Sequence, residues 1–163
     1  MELPKRKNIR LKNYDYSQNN AYFITICVKD RHELLWKNVP VGAIMNRPSL
    51  SEQGIIVENA INDIPNHYSM LDVETHVIMP NHLHMILTIS DVSENGRFII
   101  APTISRVVQQ MKRVVSKQIG FSIWQRSYHD HVIRNEDDYL RIWQYINENP
   151  SKWTEDKYYC EKS

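Results

Sequence analysis

The stretch Met79-Pro80-Asn81-His82-Leu83-His84-Met85-Ile86-Leu87 decides the reading of this chain. Two histidines flank one apolar residue at the head of an apolar run. Side chains alternate between faces along a strand. A strand here turns His82, His84, Ile86 and Thr88 to one face, and Leu83, Met85, Leu87 and Ile89 to the other as a core stripe. Proline is pre-set for the first central position of a turn, so Pro80-Asn81 reads as the hairpin that precedes the strand. Two imidazoles on one face, a residue apart, can share a metal ion. Two histidines on a half-exposed strand face satisfy the same pattern, and the pair alone does not choose.

Composition narrows the class. A chain of 163 residues is long enough for one domain with a real core. An apolar content of 42% and a mean hydropathy of -0.52 fit a soluble globular protein. No apolar run approaches membrane-spanning length, and the Lys-rich start lacks the apolar segment of a signal peptide. The expectation is a cytoplasmic protein with no membrane partner. Cys27 and Cys160 form neither a Cys-x-x-Cys pair nor a disulfide framework. Lys and Arg total 20 against 19 Asp and Glu, so no global field favours nucleic acid. Binding of that kind would have to rest on local patches.

The chain divides into a basic arm, residues 1–20, and a single domain, 21–163. The arm carries Lys5, Arg6, Lys7, Arg10 and Lys12, then Tyr14 and Tyr16. It reads as a solvated tail or as an arm that follows a phosphate backbone and stacks bases. Ala21 to Val28 is β-branched and aromatic, a buried strand. Ser49 or Ser51 caps a helix whose apolar stripe is Ile56, Ala60 and Ile64, with Pro65-Asn66 as its end. Leu71 to Met79 is a second strand, paired through the turn with His82–Ile89. Thr103 or Ser105 caps a helix over 106–119, with Val107, Val108, Met111, Val114 and Val115 on its apolar side. Arg106, Lys112, Arg113 and Lys117 give that helix a basic flank, candidate phosphate contacts. Ser122 to Arg134 reads as a further strand. It holds a second His-x-His, His129 and His131, with no turn beside it and Asp130 between, which is read as a decoy. Asn135 caps a final helix with Glu136, Asp137 and Asp138 in its first turn. The order predicts an α+β fold: a ferredoxin-like βαββαβ sandwich on an antiparallel sheet, plus one extra C-terminal helix.

On that last helix Tyr139, Ile142, Trp143 and Ile146 form one stripe. Tyr145 and Asn149 lie about 100° away from it, one above the other. Pro150 closes the helix and disfavours α geometry at Asn149, which predicts an irregular last turn.

These residues carry a resemblance. His82-Leu83-His84 resembles the His-hydrophobe-His motif of HUH nucleases. Tyr145-Ile146-Asn147-Glu148-Asn149-Pro150, followed by Trp153, resembles the tyrosine helix of single-tyrosine HUH transposases, above all the REP-associated tyrosine transposases. Tyr22–Cys27, Val77–His84 and Trp124–His131 resemble the same branch, so the likeness spans nearly the whole chain. It implies a metal held by His82, His84 and a third, amide-bearing ligand at Asn149, with Tyr145 as nucleophile. Insertion-sequence relatives carry Gln at the third position, a methylene longer. The resemblance further implies a divalent cofactor, Mg or Mn, and single-stranded or hairpin DNA as partner. A tyrosine ester conserves the energy of a cut DNA strand, so rejoining needs no ATP. Relatives include monomers and homodimers that exchange the tyrosine helix; no long linker follows Gly120, which favours a site completed within one chain. The alternative is a domesticated relative that binds hairpins without cutting.

Overall fold

The computed structural model describes residues 21–37, 49–90 and 103–160. The basic arm, with Lys5, Arg6, Lys7 and Arg10, lies outside the described residues. Four strands form one antiparallel sheet: β1 (Ala21–Cys27), β2 (Leu71–Ile78), β3 (His82–Ile89) and β4 (His129–Val132), in the order β2-β3-β1-β4. Helices α1 (Glu52–Asn62), α2 (Ile64–His67) and α3 (Ile104–Ile119) follow β1 and β3, and α4 (Glu136–Glu148) follows β4. This is the ferredoxin-like βαββαβ arrangement with an added C-terminal helix.

The sheet has a core on each face. Ile24, Ile26, Leu83, Met85 and Leu87 meet Val57 and Ile61 of α1 and Val107, Val108, Met111 and Val115 of α3. On the opposite face Ala21, Ile86 and Ile133 meet Tyr139, Ile142 and Ile146 of α4. The alternation expected of β3 is therefore observed, but its second face is enclosed, because α4 covers it. His82 and His84 are 0% and 1% exposed, which excludes a half-exposed strand face.

The helix starts follow their caps. Ser51 accepts from Gly54 N at 3.0 Å, Thr103 from Arg106 N at 3.2 Å, and Asn135 from Asp138 N at 2.8 Å. Three expectations are corrected. The buried stripe of α1 is Val57, Ile61 and then Ile64, with Ile56 and Ala60 at its margin. Pro65 does not simply end that helix: it sits in the first turn of α2, where its missing N–H costs nothing. The strand expected over 122–134 shrinks to His129–Val132, preceded by a single bridge between Trp124 and Val28. Lys112 draws the intervening chain out of the sheet, donating from Nζ to the carbonyls of Gln125 (2.8 Å) and Ser127 (3.0 Å).

Leu35 ties α1 to the turn before β3. Its N–H donates to the Pro80 carbonyl at 3.0 Å, and its carbonyl accepts from Ser51 N at 3.0 Å. Gly54 packs directly on that Leu35 carbonyl, so a Cβ there would collide with main chain. Alanine is favoured over glycine within a helix by about 1 kcal/mol. Overpacking against an immobile backbone outweighs this, and Gly54→Ala is expected to destabilise the fold by about 2 kcal/mol. Urea unfolding measures it; an unchanged midpoint would show that the Leu35 segment yields freely.

Candidate active site

β3 delivers two imidazoles to one point. His82 Nε2 and His84 Nε2 lie 3.1 Å apart, with ring centroids at 4.7 Å. Each ring is held from its other nitrogen. His82 Nδ1 lies 2.8 Å from Asn81 Oδ1, and His84 Nδ1 lies 2.8 Å from Thr25 Oγ1. Asn81 Nδ2 donates to the carbonyls of Tyr158 (2.8 Å) and Arg31 (3.4 Å), so its oxygen is the end free to accept. His82 therefore donates from Nδ1 and keeps a lone pair on Nε2. The strand register supplies the second partner: Thr25 stands opposite His84 across β1 and β3, and Cys27 stands opposite His82.

Burial holds both rings neutral. The His82 pKa is lowered to about 3, by desolvation first and by the Lys157 charge second. That of His84 lies well below its ordinary value, through desolvation, then His82, then Lys157. Neutral imidazole is the state that ligates a metal.

Tyr145 comes from α4 over this pair. Its hydroxyl lies 3.4 Å from His84 Nε2, and its ring packs on His84 with centroids at 5.2 Å and edge-on to Phe23 at 6.2 Å. The residue is 40% exposed, as its position off the α4 stripe predicts. Burial raises its pKa above 10, the negative charge of Asp156 pushes the same way, and the Asn149 amide opposes them. Asn149 is 3% exposed, and its Nδ2 has no hydrogen-bond partner among the described residues. An Asn amide exchanges its two ends with little steric change.

Asp156 escaped the sequence reading. After α4 the chain continues as a 3-10 segment, Asn149–Glu155, and folds back across the histidines. Trp153 lies 6.0 Å from the His82 ring and Tyr158 lies 4.4 Å from it. Asp156, its side chain 2% exposed, brings Oδ2 to 3.8 Å from His82 Nε2. Among the described residues His82, His84 and Asp156 form a group whose ligand atoms all lie within 4.8 Å of one another. The stretch Trp153–Tyr159 carries one usable signal in the sequence: three aromatic residues in seven, more than a solvated segment needs. Tyr158 is buried enough to raise its pKa to about 12, with Cys27 as the next cause.

The donor set fits a divalent ion. Two nitrogens 3.1 Å apart can both reach one ion at about 2.1 Å, and an acidic oxygen stands beside them. The second His-x-His has a different task. His131 Nε2 binds Asp138 at 2.7 Å and clips β4 to the first turn of α4, while His129 is exposed. Of the basic flank of α3, Arg106, Arg113 and Lys117 are exposed, while Lys112 is occupied with the Gln125–Ser127 carbonyls.

The chain is 33% identical over 178 aligned residues to a Haemophilus influenzae protein of uncharacterised function, covering 96% of this chain and 94% of that protein. It is 24% identical over 151 aligned residues to a second Haemophilus influenzae protein, provisionally named a REP-associated tyrosine transposase, covering 87% and 77%. Its fold is similar to that of a REP-associated tyrosine transposase solved bound to a REP hairpin, with a TM-score of 0.62 and 23% identity over 91% of this chain and 76% of that one. No family model matches the chain.

The histidine shifts make acid stability a test of this arrangement. Unfolding returns both imidazoles to ordinary values near 6.5, whereas folded His82 titrates at about 3. Between those values the unfolded chain binds more protons, so stability falls as pH drops through the window. The metal-free protein is expected to melt at lower temperature with each step from pH 7 to 4, and His82→Asn to flatten that slope. Calorimetry in chelator reads both; equal slopes would assign the acid sensitivity to other groups.

Proposed function

We infer that this chain is a single-tyrosine transposase similar to the REP-associated branch, and that it cuts and rejoins single-stranded DNA beside a hairpin. The observation that supports this most directly is the approach of the Tyr145 hydroxyl to within 3.4 Å of His84 Nε2, at a group able to hold a metal.

His82, His84 and an oxygen of Asp156 or Asn149 would hold Mg or Mn. When bound, such an ion polarises a phosphate and offsets charge on a departing oxygen. The protein's own groups do the rest. Tyr145 is the nucleophile: its phenolic oxygen bonds to phosphorus while the bond from phosphorus to the 3′ oxygen breaks. The phenolic proton leaves toward the Asp156 carboxylate beside it, and the departing 3′ oxygen takes up a proton from solvent water. The 5′ side of the cut strand stays on Tyr145, and a DNA 3′-hydroxyl reverses the step to rejoin. His82 and His84 stay neutral throughout, held in orientation by Asn81 and Thr25.

One observation favours the second reading, a hairpin-binding protein that no longer cuts. Trp153 and Tyr158 cover the histidines, which are at most 1% exposed, so a phosphate meets them only after that segment moves.

Denaturing electrophoresis of an end-labelled hairpin with a single-stranded flank separates the readings. Wild type is expected to give a slow covalent band that maps to Tyr145, and Tyr145→Phe none. His82→Ala and His84→Ala should each slow cutting on the order of 100-fold or more while hairpin binding survives. Asp156→Asn and Asn149→Ala should each weaken Mn binding in calorimetry by roughly 10- to 100-fold. Replacing His129 and His131 should lower the melting temperature and leave Mn binding intact. No covalent band from wild type in Mn would favour the binding reading; a band that persists in Tyr145→Phe would remove Tyr145 from the role.

A further inference from the structure

A second, cationic feature lies at the same end of the sheet and takes no part in the chemistry above. It is a cleft of about 270 Å³ between the C-terminal half of α3 and the loop that precedes β4. Arg113, Ser116, Ser122, Trp124, Gln125 and Arg126 line it together with Lys112, and among the described residues no carboxylate does. Its volume suits one phosphate with its sugar rather than a larger organic ligand. Phe121 stands next to Ser122 of that lining, 61% exposed, on the residue after the left-handed Gly120 that ends α3. Trp124 is 5% exposed, and its indole N–H has no acceptor among the described residues. A buried donor without a partner costs roughly 1–3 kcal/mol, so this one needs an explanation.

The loop is held in place from both sides. Gln125 N donates to Cys27 O at 2.9 Å, Lys29 N donates to Ile123 O at 2.8 Å, and Lys112 ties the carbonyls of Gln125 and Ser127. Cys27 stands opposite His82 in the sheet. The Gln125 main chain is thus two strand spacings, about 10 Å, from that of His82. A short run of single strand bridges that distance.

We propose that this cleft is a single-strand subsite, which takes one nucleotide of the DNA that flanks the hairpin. Its phosphate meets Arg113 and Arg126, and its base stacks on Phe121. Charge argues for the occupant: Arg113 and Arg126, with no carboxylate among the described lining residues, suit a phosphodiester, and the exposed Phe121, next in sequence to that lining, suits an unpaired base. Duplex offers the cations the same phosphates but no free base face for Phe121. The subsite rests on the proposed action on single-stranded DNA, and it assigns the flank a fixed course past the histidines.

The test uses the full chain carrying Tyr145→Phe, so that no probe is cut. Three fluorescent DNA probes are titrated: a blunt hairpin, the same hairpin with a single-stranded flank, and a plain single strand. Phe121 and Arg126 are exposed, so Phe121→Ala and Arg126→Ala leave the fold intact, which a melting curve checks. The double variant is expected to lose roughly 5- to 150-fold in affinity for the flanked hairpin, the range of one stacked base, and nothing for the blunt one. Trp124→Phe, which removes the indole donor, should lower affinity for the flanked hairpin and leave that for the blunt one unchanged. An equal loss for blunt and flanked hairpins would make the cleft a contact for stem phosphates and overturn the subsite. Displacement of the flanked probe by millimolar inorganic phosphate down to the affinity of the double variant would reduce it to a free-phosphate site, which also overturns it. The plain strand keeps the two readings apart. If the protein binds no hairpin but holds the plain strand through Phe121 and Arg126, hairpin recognition fails and the subsite stands. If no single-stranded probe depends on those residues, the subsite fails whatever the covalent band shows.

Discussion

The structure depends on burying two uncharged imidazoles side by side in the central strand pair. A polar ring taken from water costs free energy unless its nitrogens find partners. β3 meets this by register. The pairing of Thr25 with His84 and of Cys27 with His82 puts a hydroxyl under one ring, and the preceding turn puts the Asn81 amide under the other. Each outer nitrogen is thereby occupied, and the two inner ones are left facing each other at 3.1 Å. A slip of one residue would turn Leu83 and Met85 into this site and both histidines into the main core. The core stripe on the opposite face forbids that slip, so the same alternation that packs the protein aims its ligands.

The groups packed around the pair are held uncharged. Burial lowers the pKa of His82 and His84 and raises that of Tyr145, Tyr158 and Cys27. Every one of these shifts favours the uncharged form. Asp156 is the acidic group at the centre of this neutral set, and Lys157 is the cation whose field reaches both histidines. A buried carboxylate flanked by neutral rings is an arrangement that a cation stabilises, which is the electrostatic ground for reading the group as a metal site.

Much of this was legible in the sequence because it depends on local rules. Alternation in β3, the caps Ser51, Thr103 and Asn135, and the off-stripe position of Tyr145 follow from the period of strands and helices and from short-range hydrogen bonds. The stripe of α1 was misplaced by part of a turn, because the rotation of that helix is set by the contact of Gly54 with Leu35, which only the fold brings together. The segment over 122–134 looked like a longer strand because its residues favour one, yet the Lys112 ammonium competes for its carbonyls. Asp156 and Tyr158 were out of reach for the same reason. The three aromatic residues of Trp153–Tyr159 hint at burial, but nothing local tells which surface they cover, here histidines more than 70 positions earlier.

The fold-back itself turns on Pro150. The ring of a proline disfavours α geometry in the residue before it, and an irregular turn was expected there. Asn149 nonetheless stays helical, at φ -57° and ψ -43°, and the change falls after it, where the chain tightens into the 3-10 segment and departs from helical values at Lys152. Keeping Asn149 helical holds its amide on the same face as Tyr145, one turn on. Tightening the chain beyond it brings Trp153 and Asp156 back over His82 instead of outward along the helix axis. The nucleophile, the amide and the carboxylate are thus set by one junction, and β3 sets the histidines. Two short pieces of backbone, each fixed by a proline-containing turn, determine where every reacting group of the proposed site stands.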